Sequence, residues 1–208
     1  MISFAILVAD EEIEFRTLLT NLVRIKSETD EIVVVIDSEK ATPGVMQVID
    51  NNSSHIKYYK RSLNNDFASQ KNYLFSKCTK DYIVNLDADE NIFDDFIENI
   101  KQIINLNSTV EAFWVPRWNE VRGITDEWIQ KWGWSIDGES RINWPDLQMR
   151  IVKNKPEIKW IRPVHEQLTG YSSYATLPLV KECCIYHIKT LDKQIKQNSL
   201  YNNIIQNK

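Results

Sequence analysis

The residues with the clearest capacity for chemistry are Asp87-Ala88-Asp89-Glu90, which directly follow the apolar run Ile83-Val84-Asn85-Leu86. Strand-forming Ile and Val predict a buried strand, with the acids where it ends. Along an extended backbone alternate side chains share a side, so Asp87 and Asp89 point toward one place. Carboxylates this close repel one another unless a cation sits between them. A divalent metal carrying a diphosphate answers that need, because hard cations take carboxylate oxygens and keep positions for phosphate. In an open α/β sheet, ligands bind outside the carboxyl ends of strands. The acidic strand end therefore reads as the metal–nucleotide site of a transferase. An isolated Asp-x-Asp is more often the cap of the next helix, a role open here to Asp89 or Asn91. Its place after a buried strand, downstream of two other strand ends, favours the metal site.

The elements that must position these acids alternate strand and helix. Residues 2–8 predict a first strand, and Phe15, Leu18, Leu19, Leu22 and Val23 form the stripe of a helix over residues 12–25. Ile32-Val33-Val34-Val35-Ile36 reads as a strand covered on both faces and ends in Asp37-Ser38. Thr42-Pro43-Gly44 starts a short helix carrying Val45, Val48 and Ile49, and Ile56 to Tyr59 suggests a third strand. Asn64-Asn65-Asp66 caps a helix from Phe67 to about Lys77. The fourth strand carries the acids. A βαβαβαβ order with short links predicts an α/β domain, a mostly parallel sheet with helices on both faces.

Beyond Glu90, Phe93, Phe96, Ile97, Ile100 and Ile104 keep helical spacing as far as Asn107-Ser108, and Val110 to Val115 reads as a strand. All seven tryptophans then lie between Trp114 and Trp160. Residues 117–145 lack clean periodicity and predict hairpins and loops, a Trp-rich subregion outside the doubly wound sheet. Met149 to Val152 and Ile158 to Trp160 read as a strand pair around Asn154-Lys155-Pro156. Cys183 to Ile188 reads as a late strand, and residues 192–208 as a polar helix with Ile195, Tyr201, Ile204 and Ile205.

At 208 residues and 43% hydrophobic, the chain suits one domain with an ordinary core. A net charge of −4 gives no overall attraction to nucleic acid or anionic lipid. No apolar run reaches the ~20 residues of a membrane span. The start, which ends in Asp10-Glu11-Glu12, reads as a strand and not as a signal peptide. Three cysteines, two of them adjacent, make a poor disulfide framework, so a reduced, cytoplasmic location is expected.

Taken together, Asp37-Ser38, the run Asp66-Phe67-Ala68-Ser69-Gln70-Lys71-Asn72, and the block Asp81 to Glu90 resemble a family-2 glycosyltransferase of the GT-A fold. Asp146 to Asn154, Trp160, Val164-His165-Glu166 and Tyr186-His187 are similar to the branch that includes lipopolysaccharide-core glucosyltransferases. The likeness runs from residue 2 to about residue 190. It implies an inverting transfer from a nucleotide-sugar, a UDP-sugar in the first instance, with Mn²⁺ or Mg²⁺. It further implies that Ala9 and Asp10 line the base and that Asp37 sits near the uracil or ribose. Lys71 would lie near the nucleotide or its diphosphate. Asp87, next to Ala88, would reach the ribose or a metal-bound water. Asp89 would bind the metal, and His187 would complete the metal or diphosphate site. The loop after Asp37 departs from the family's usual Asp-Ser-x-Ser-x-Asp-x-Thr in lacking the second acid.

An inverting transfer needs a group to take the acceptor's proton from the side opposite the leaving diphosphate. Glu166 is the first candidate, with His165 orienting it or acting itself and Asp146 in reserve. Aromatic faces suit sugar rings, which makes Trp128, Trp132 and Trp134 acceptor candidates, whereas most of Trp114, Trp118, Trp144 and Trp160 are expected to be structural. The acceptor itself, whether glycan, lipid-linked, protein or another hydroxyl, is not encoded in any pattern. One unit is expected, with a nucleotide-binding part over 1–115, an acceptor-side part over 116–190 and a final helix over 191–208 able to pair with a second copy. Three other classes compete with this reading. A haloacid-dehalogenase-type phosphatase places its Asp-x-Asp near the N-terminus. A sugar-nucleotide pyrophosphorylase opens with a Gly-rich basic loop, where this chain has Val8-Ala9-Asp10-Glu11-Glu12. A non-catalytic nucleotide- or carbohydrate-binding protein on the same fold would bind donor without turnover.

Overall fold

The structure is a computed structural model and describes residues 1–206, with side chains as far as Ser199. The chain opens with β1 (Ile2–Val8), α1 (Glu12–Ile25), β2 (Glu31–Asp37), α2 (Pro43–Asn51), β3 (Lys57–Arg61), α3 (Phe67–Phe75) and β4 (Tyr82–Asp87). It continues through β5 (Asn91–Ile92), α4 (Phe96–Leu106), β6 (Ala112–Arg122), α5 (Asp126–Trp132) and β7 (Asp146–Lys153). It closes with β8 (Lys159–Ile161), β9 (Gln167–Thr169), β10 (Tyr174–Thr176), β11 (Ile185–Thr190) and α6 (Leu191–Gln206). The main sheet runs β3-β2-β1-β4-β7-β6-β11-β5, with β10 also on β6. Strands β3, β2, β1 and β4 are mutually parallel, as are β6, β10 and β11, while β7 runs antiparallel to both β4 and β6.

Alternation along the strands sorts the core into two layers. Ile2, Phe4 and Ile6 of β1, with Ile32, Val34 and Ile36 of β2, pack among Phe15, Leu18, Val48, Phe96 and Ile100 of α1, α2 and α4. Ala5, Val33, Val35 and Ile83 face the opposite way, toward Leu74 and Phe75 of α3 and Trp160 of β8. Burying both faces explains why β2 is a continuous apolar run. Short polar groups set the helix starts. Thr42 Oγ1 accepts from the Val45 N–H at 3.2 Å ahead of Pro43, and Asp66 accepts from the Ser69 N–H at 2.9 Å.

The structure departs from the sequence expectations beyond residue 90. Strand β6 is far longer than the 110–115 expected and carries Pro116 inside a sheet. Proline lacks an N–H, and Pro116 falls where one edge of β6 passes from β10, paired as far as Trp114, to β11, paired from Arg117. The two strands expected to pair around Asn154 do not pair. Strand β7 inserts between β4 and β6, while β8 pairs with β9. The Asn154 side chain instead donates to the carbonyls of Cys78 and Lys80, each at 3.0 Å, and pins the end of β7 beside β4. The segment expected to hold only hairpins and loops contains α5, ended by left-handed Gly133 at φ 64°. Phe93 precedes α4 and packs its ring on Tyr186, with centroids 4.2 Å apart. The side chains of Tyr201, Ile204 and Ile205, with Asn207 and Lys208, lie outside the described residues. No described helix is long and apolar enough to cross a membrane.

Candidate active site

A cleft of about 1210 Å³ opens at the carboxyl ends of β1, β2 and β4, walled on the other side by β7, β11 and α6. Parallel pairing places Leu7 beside Asp87, so the loop after β1 and the acidic end of β4 emerge together. Ala9, Asp10, Asp37, Lys71, Asp87, Ala88, Asp89, Asp146, His165, Glu166 and His187 all line the cleft. Asp37 is buried and accepts from the Glu39 N–H at 3.1 Å and the Leu63 N–H at 3.4 Å, tying the β2 and β3 ends together.

The acidic strand end is not built as three equivalent ligands. Glu90 is buried, and its Oε2 accepts from the Asp87 N–H at 2.9 Å, bracing the turn. Arg150 of β7 reaches between the acids, with Nη2 2.8 Å from Asp87 Oδ2 and 2.5 Å from Glu90 Oε1. Arg117 of β6 lies 3.8 Å from Glu90 and 2.7 Å from Asp146. Burial pushes the Glu90 carboxyl up to about 7, against the pull of Arg150. Burial acts the same way on Asp87, but Arg150 and Lys71 outweigh it and hold Asp87 well below the usual carboxylate range. Asp87 is thus an oriented anion committed to Arg150.

Asp89 has different company. Its Oδ2 lies 3.4 Å from His187 Nε2 and 3.4 Å from Lys193 Nζ of α6. Burial disfavours its charge, yet His187 in its protonated form, with Lys193 and Lys189, would hold it well below the usual range. His187 Nδ1 is 3.0 Å from Asn119 Oδ1, and burial pushes the imidazole toward its neutral form. With Nδ1–H donated to Asn119, Nε2 presents its lone pair toward the Asp89 carboxylate. A carboxylate oxygen and an imidazole lone pair facing each other fit a divalent cation, so Asp89 and His187 suit the expected metal. The third expected donor, Asp87, is turned onto Arg150. Among the described residues, no three His, Cys, Asp or Glu side chains converge as a metal site. Such an ion would take two donors from the protein, Asp89 and His187, and the rest from phosphate and water oxygens.

Across the cleft, Glu166 Oε1 pairs with Lys71 Nζ at 2.9 Å, and Lys71 lies over the Trp160 ring at 4.6 Å. Lys71 is buried at the cleft wall, not solvated on an exposed helix face. His165 precedes Glu166 in a left-handed conformation, φ 52°. Asp146 is held through both oxygens, Oδ2 by Arg117 Nε at 2.8 Å and Oδ1 by Gln148 Nε2 at 2.6 Å. Trp128, Trp132 and Trp134 form a ladder with centroids 4.7 and 4.6 Å apart, but only Trp134 reaches the cleft wall. Trp114 and Trp160, from the group expected to be mostly structural, also line it.

Among the cleft residues to which sequence reasoning gave no role are Arg117, Arg150, Lys189 and Lys193. Arg150 and Arg117 lie on strands whose pairing with the acidic strand region is not visible locally. A signal did exist for Lys189, two residues beyond His187 and so on the same face of β11.

The comparisons with known proteins agree with this architecture. The model of the glycosyl transferase family 2 matches residues 3–157. No curated protein matches the sequence. Among solved structures, S. aureus TarS 1-349 superposes with a TM-score of 0.64 at 12% identity, over 90% of this chain and 60% of that one. TarS 1-349 in complex with UDP-GlcNAc gives 0.50 at 16% identity, over 60% and 36%. The chain spans 23% of the longer TarS chain, at a TM-score of 0.51. At such identities the likeness is one of fold, and the fold is GT-A. With the family match running through β1 to β7 and every strand end that builds the acidic wall, the chain belongs to glycosyl transferase family 2.

Proposed function

We propose that the protein moves a sugar, with inversion, from a nucleotide-sugar to a hydroxyl acceptor, with a UDP-hexose as the leading donor. The observation that carries this reading is Asp89 facing the neutral-leaning His187 at 3.4 Å, inside a cleft built from strand ends. TarS 1-349 was solved with UDP-GlcNAc, which supports a UDP-sugar. Ala9, Asp10 and Asp37 hold the nucleoside. Asp87, oriented by Arg150, receives the ribose. Asp89 and His187 hold Mn²⁺ or Mg²⁺, which supplies Lewis-acid stabilisation of charge on the departing nucleoside diphosphate.

Glu166 is the better base. Its ion pair with Lys71 runs through Oε1, whereas Asp146 is clamped on both oxygens. A carboxylate locked by a guanidinium fork is a weak proton acceptor. Trp134, at the cleft wall, offers a stacking face to the acceptor, with Trp132 and Trp128 continuing outward. The chain works as one unit in the cytoplasm, its nucleotide part over 1–115 and acceptor part over 116–190 meeting at the cleft. The test is a screen of nucleotide-sugars for nucleoside diphosphate release with Mn²⁺ or Mg²⁺. Release from a UDP-sugar, lost in Asp89→Asn, is the expected outcome. Binding of donors without release from any of them would leave a binding module on this fold.

A further inference from the structure

Strand β11 alternates, so His187 and Lys189 share a face, and one turn into α6 Lys193 follows on the same wall of the cleft. Lys189 is buried, and its Nζ donates to the Gln197 amide oxygen at 2.5 Å. Among the described residues it makes no ion pair with a carboxylate, although every other buried lysine or arginine does. Burying an ammonium against a neutral amide is costly, and an anionic ligand is what offsets that cost. Lys193 is the more accessible of the two and sits between Glu14 at 3.0 Å and Asp89 at 3.4 Å. Its flexible stem can turn from either acid to an anion entering the cleft.

We propose that Lys189 and Lys193 bind the diphosphate of the donor from the β11–α6 side. The diphosphate then lies between two ammoniums and the Asp89–His187 pair, and α6 is part of the donor site and not an appendage. This rests on the donor reading above. Lys193 would exchange Asp89 for a phosphate oxygen as the nucleotide enters. That exchange releases Asp89 from a competing cation while the negative charge is being neutralised.

Calorimetric titration of UDP and UMP into the full chain with Mn²⁺ tests the assignment, using wild type, Lys193→Gln, Lys193→Arg and Lys189→Gln. Lys193→Gln is expected to weaken UDP about tenfold and UMP by much less, because the second phosphate is the one held. Lys193→Arg should restore most of the loss. Lys189→Gln should weaken UDP similarly; thermal melting checks its fold, and Lys193→Gln, half-exposed in the structure, carries the test if that variant does not fold. UDP affinity unchanged in Lys193→Gln, or UDP and UMP weakened equally, overturns the assignment while leaving the donor reading intact. Failure of wild type to bind UDP, GDP, ADP or dTDP overturns both together.

Discussion

Asp89 and Asp87 are two residues apart on one strand end, yet their neighbours give them different work. Asp87 is fixed by a buried arginine at 2.8 Å, whereas Asp89 faces an imidazole and a partly exposed ammonium, each at 3.4 Å. Of the two, Asp89 is the one the proposed function assigns to the metal. Asp89→Asn is therefore expected to abolish the Mn²⁺-dependent part of the thermal shift given by UDP, and to cut transfer by about 10²-fold or more. An equal shift in wild type and variant would remove the metal from this position. Glu166 makes a complementary prediction. Glu166→Gln keeps the shape and loses the proton acceptor, so UDP affinity should hold while transfer falls about 10²- to 10⁴-fold. Single-turnover kinetics with a working acceptor checks this, and retained turnover would pass the role to Asp146 or His165. The acids were legible in the sequence because strand and carboxylates are contiguous. Their arginine partners were not, because Arg150 lies 60 residues from Glu90 and Arg117 roughly half as far, and both arrive through strand pairing that local pattern does not encode.

At the scale of elements, what was legible followed local rules. Strands β1, β2 and β4 and helix α1 lie where alternation, continuous burial and helical spacing put them. The second half resisted because its order is set by non-local pairing. Pro116 argues against a central strand by itself, and only the gap between β10 and β11 makes it tolerable. The β8–β9 hairpin, which carries Glu166 between its strands, offers a test of element-level support. Gly170 follows β9 at φ +86°, and a Cβ there would fall 1.9 Å from the Glu157 carbonyl oxygen. Gly170→Ala must move backbone, so a loss of about 1–3 kcal/mol in stability is expected. Urea unfolding measures it. Transfer should fall beyond what the residual folded fraction explains, since Glu166 shifts with the hairpin. An alanine variant with wild-type stability and activity would show that the hairpin is not under this constraint.

The whole molecule has two electrostatic ends. At the carboxyl ends of the strands the cleft collects cations around acids. At the opposite end, Asp30 and Glu31 tie the start of the sheet together. Glu31, nearly buried, accepts from Ser3 Oγ at 2.7 Å, Lys57 Nζ at 2.8 Å and the Thr79 N–H at 2.6 Å. Asp30 accepts from the Ile2 N–H at 2.9 Å and the Ser27 N–H at 3.1 Å, and pairs with Lys101 of α4. Burial disfavours the Glu31 charge, but these donors outweigh it and lower the carboxyl from 4.5 to about 2. Asp30 moves in the same direction, its buried charge held by Lys101 and the backbone donors. A carboxyl whose folded pKa is depressed contributes stability in full above its unfolded value, and loses it as pH falls through the folded value. The stability these two carboxyls contribute should therefore hold above pH 4.5 and fall between there and about pH 2. Glu31→Gln should melt lower than wild type at pH 7 and show a shallower decline through that window, because the variant has no proton to take up at this position. Melting followed by circular dichroism from pH 7 to pH 2 decides it. Parallel declines in the two proteins would place the acid sensitivity elsewhere, with the carboxylates of the cleft the next to test.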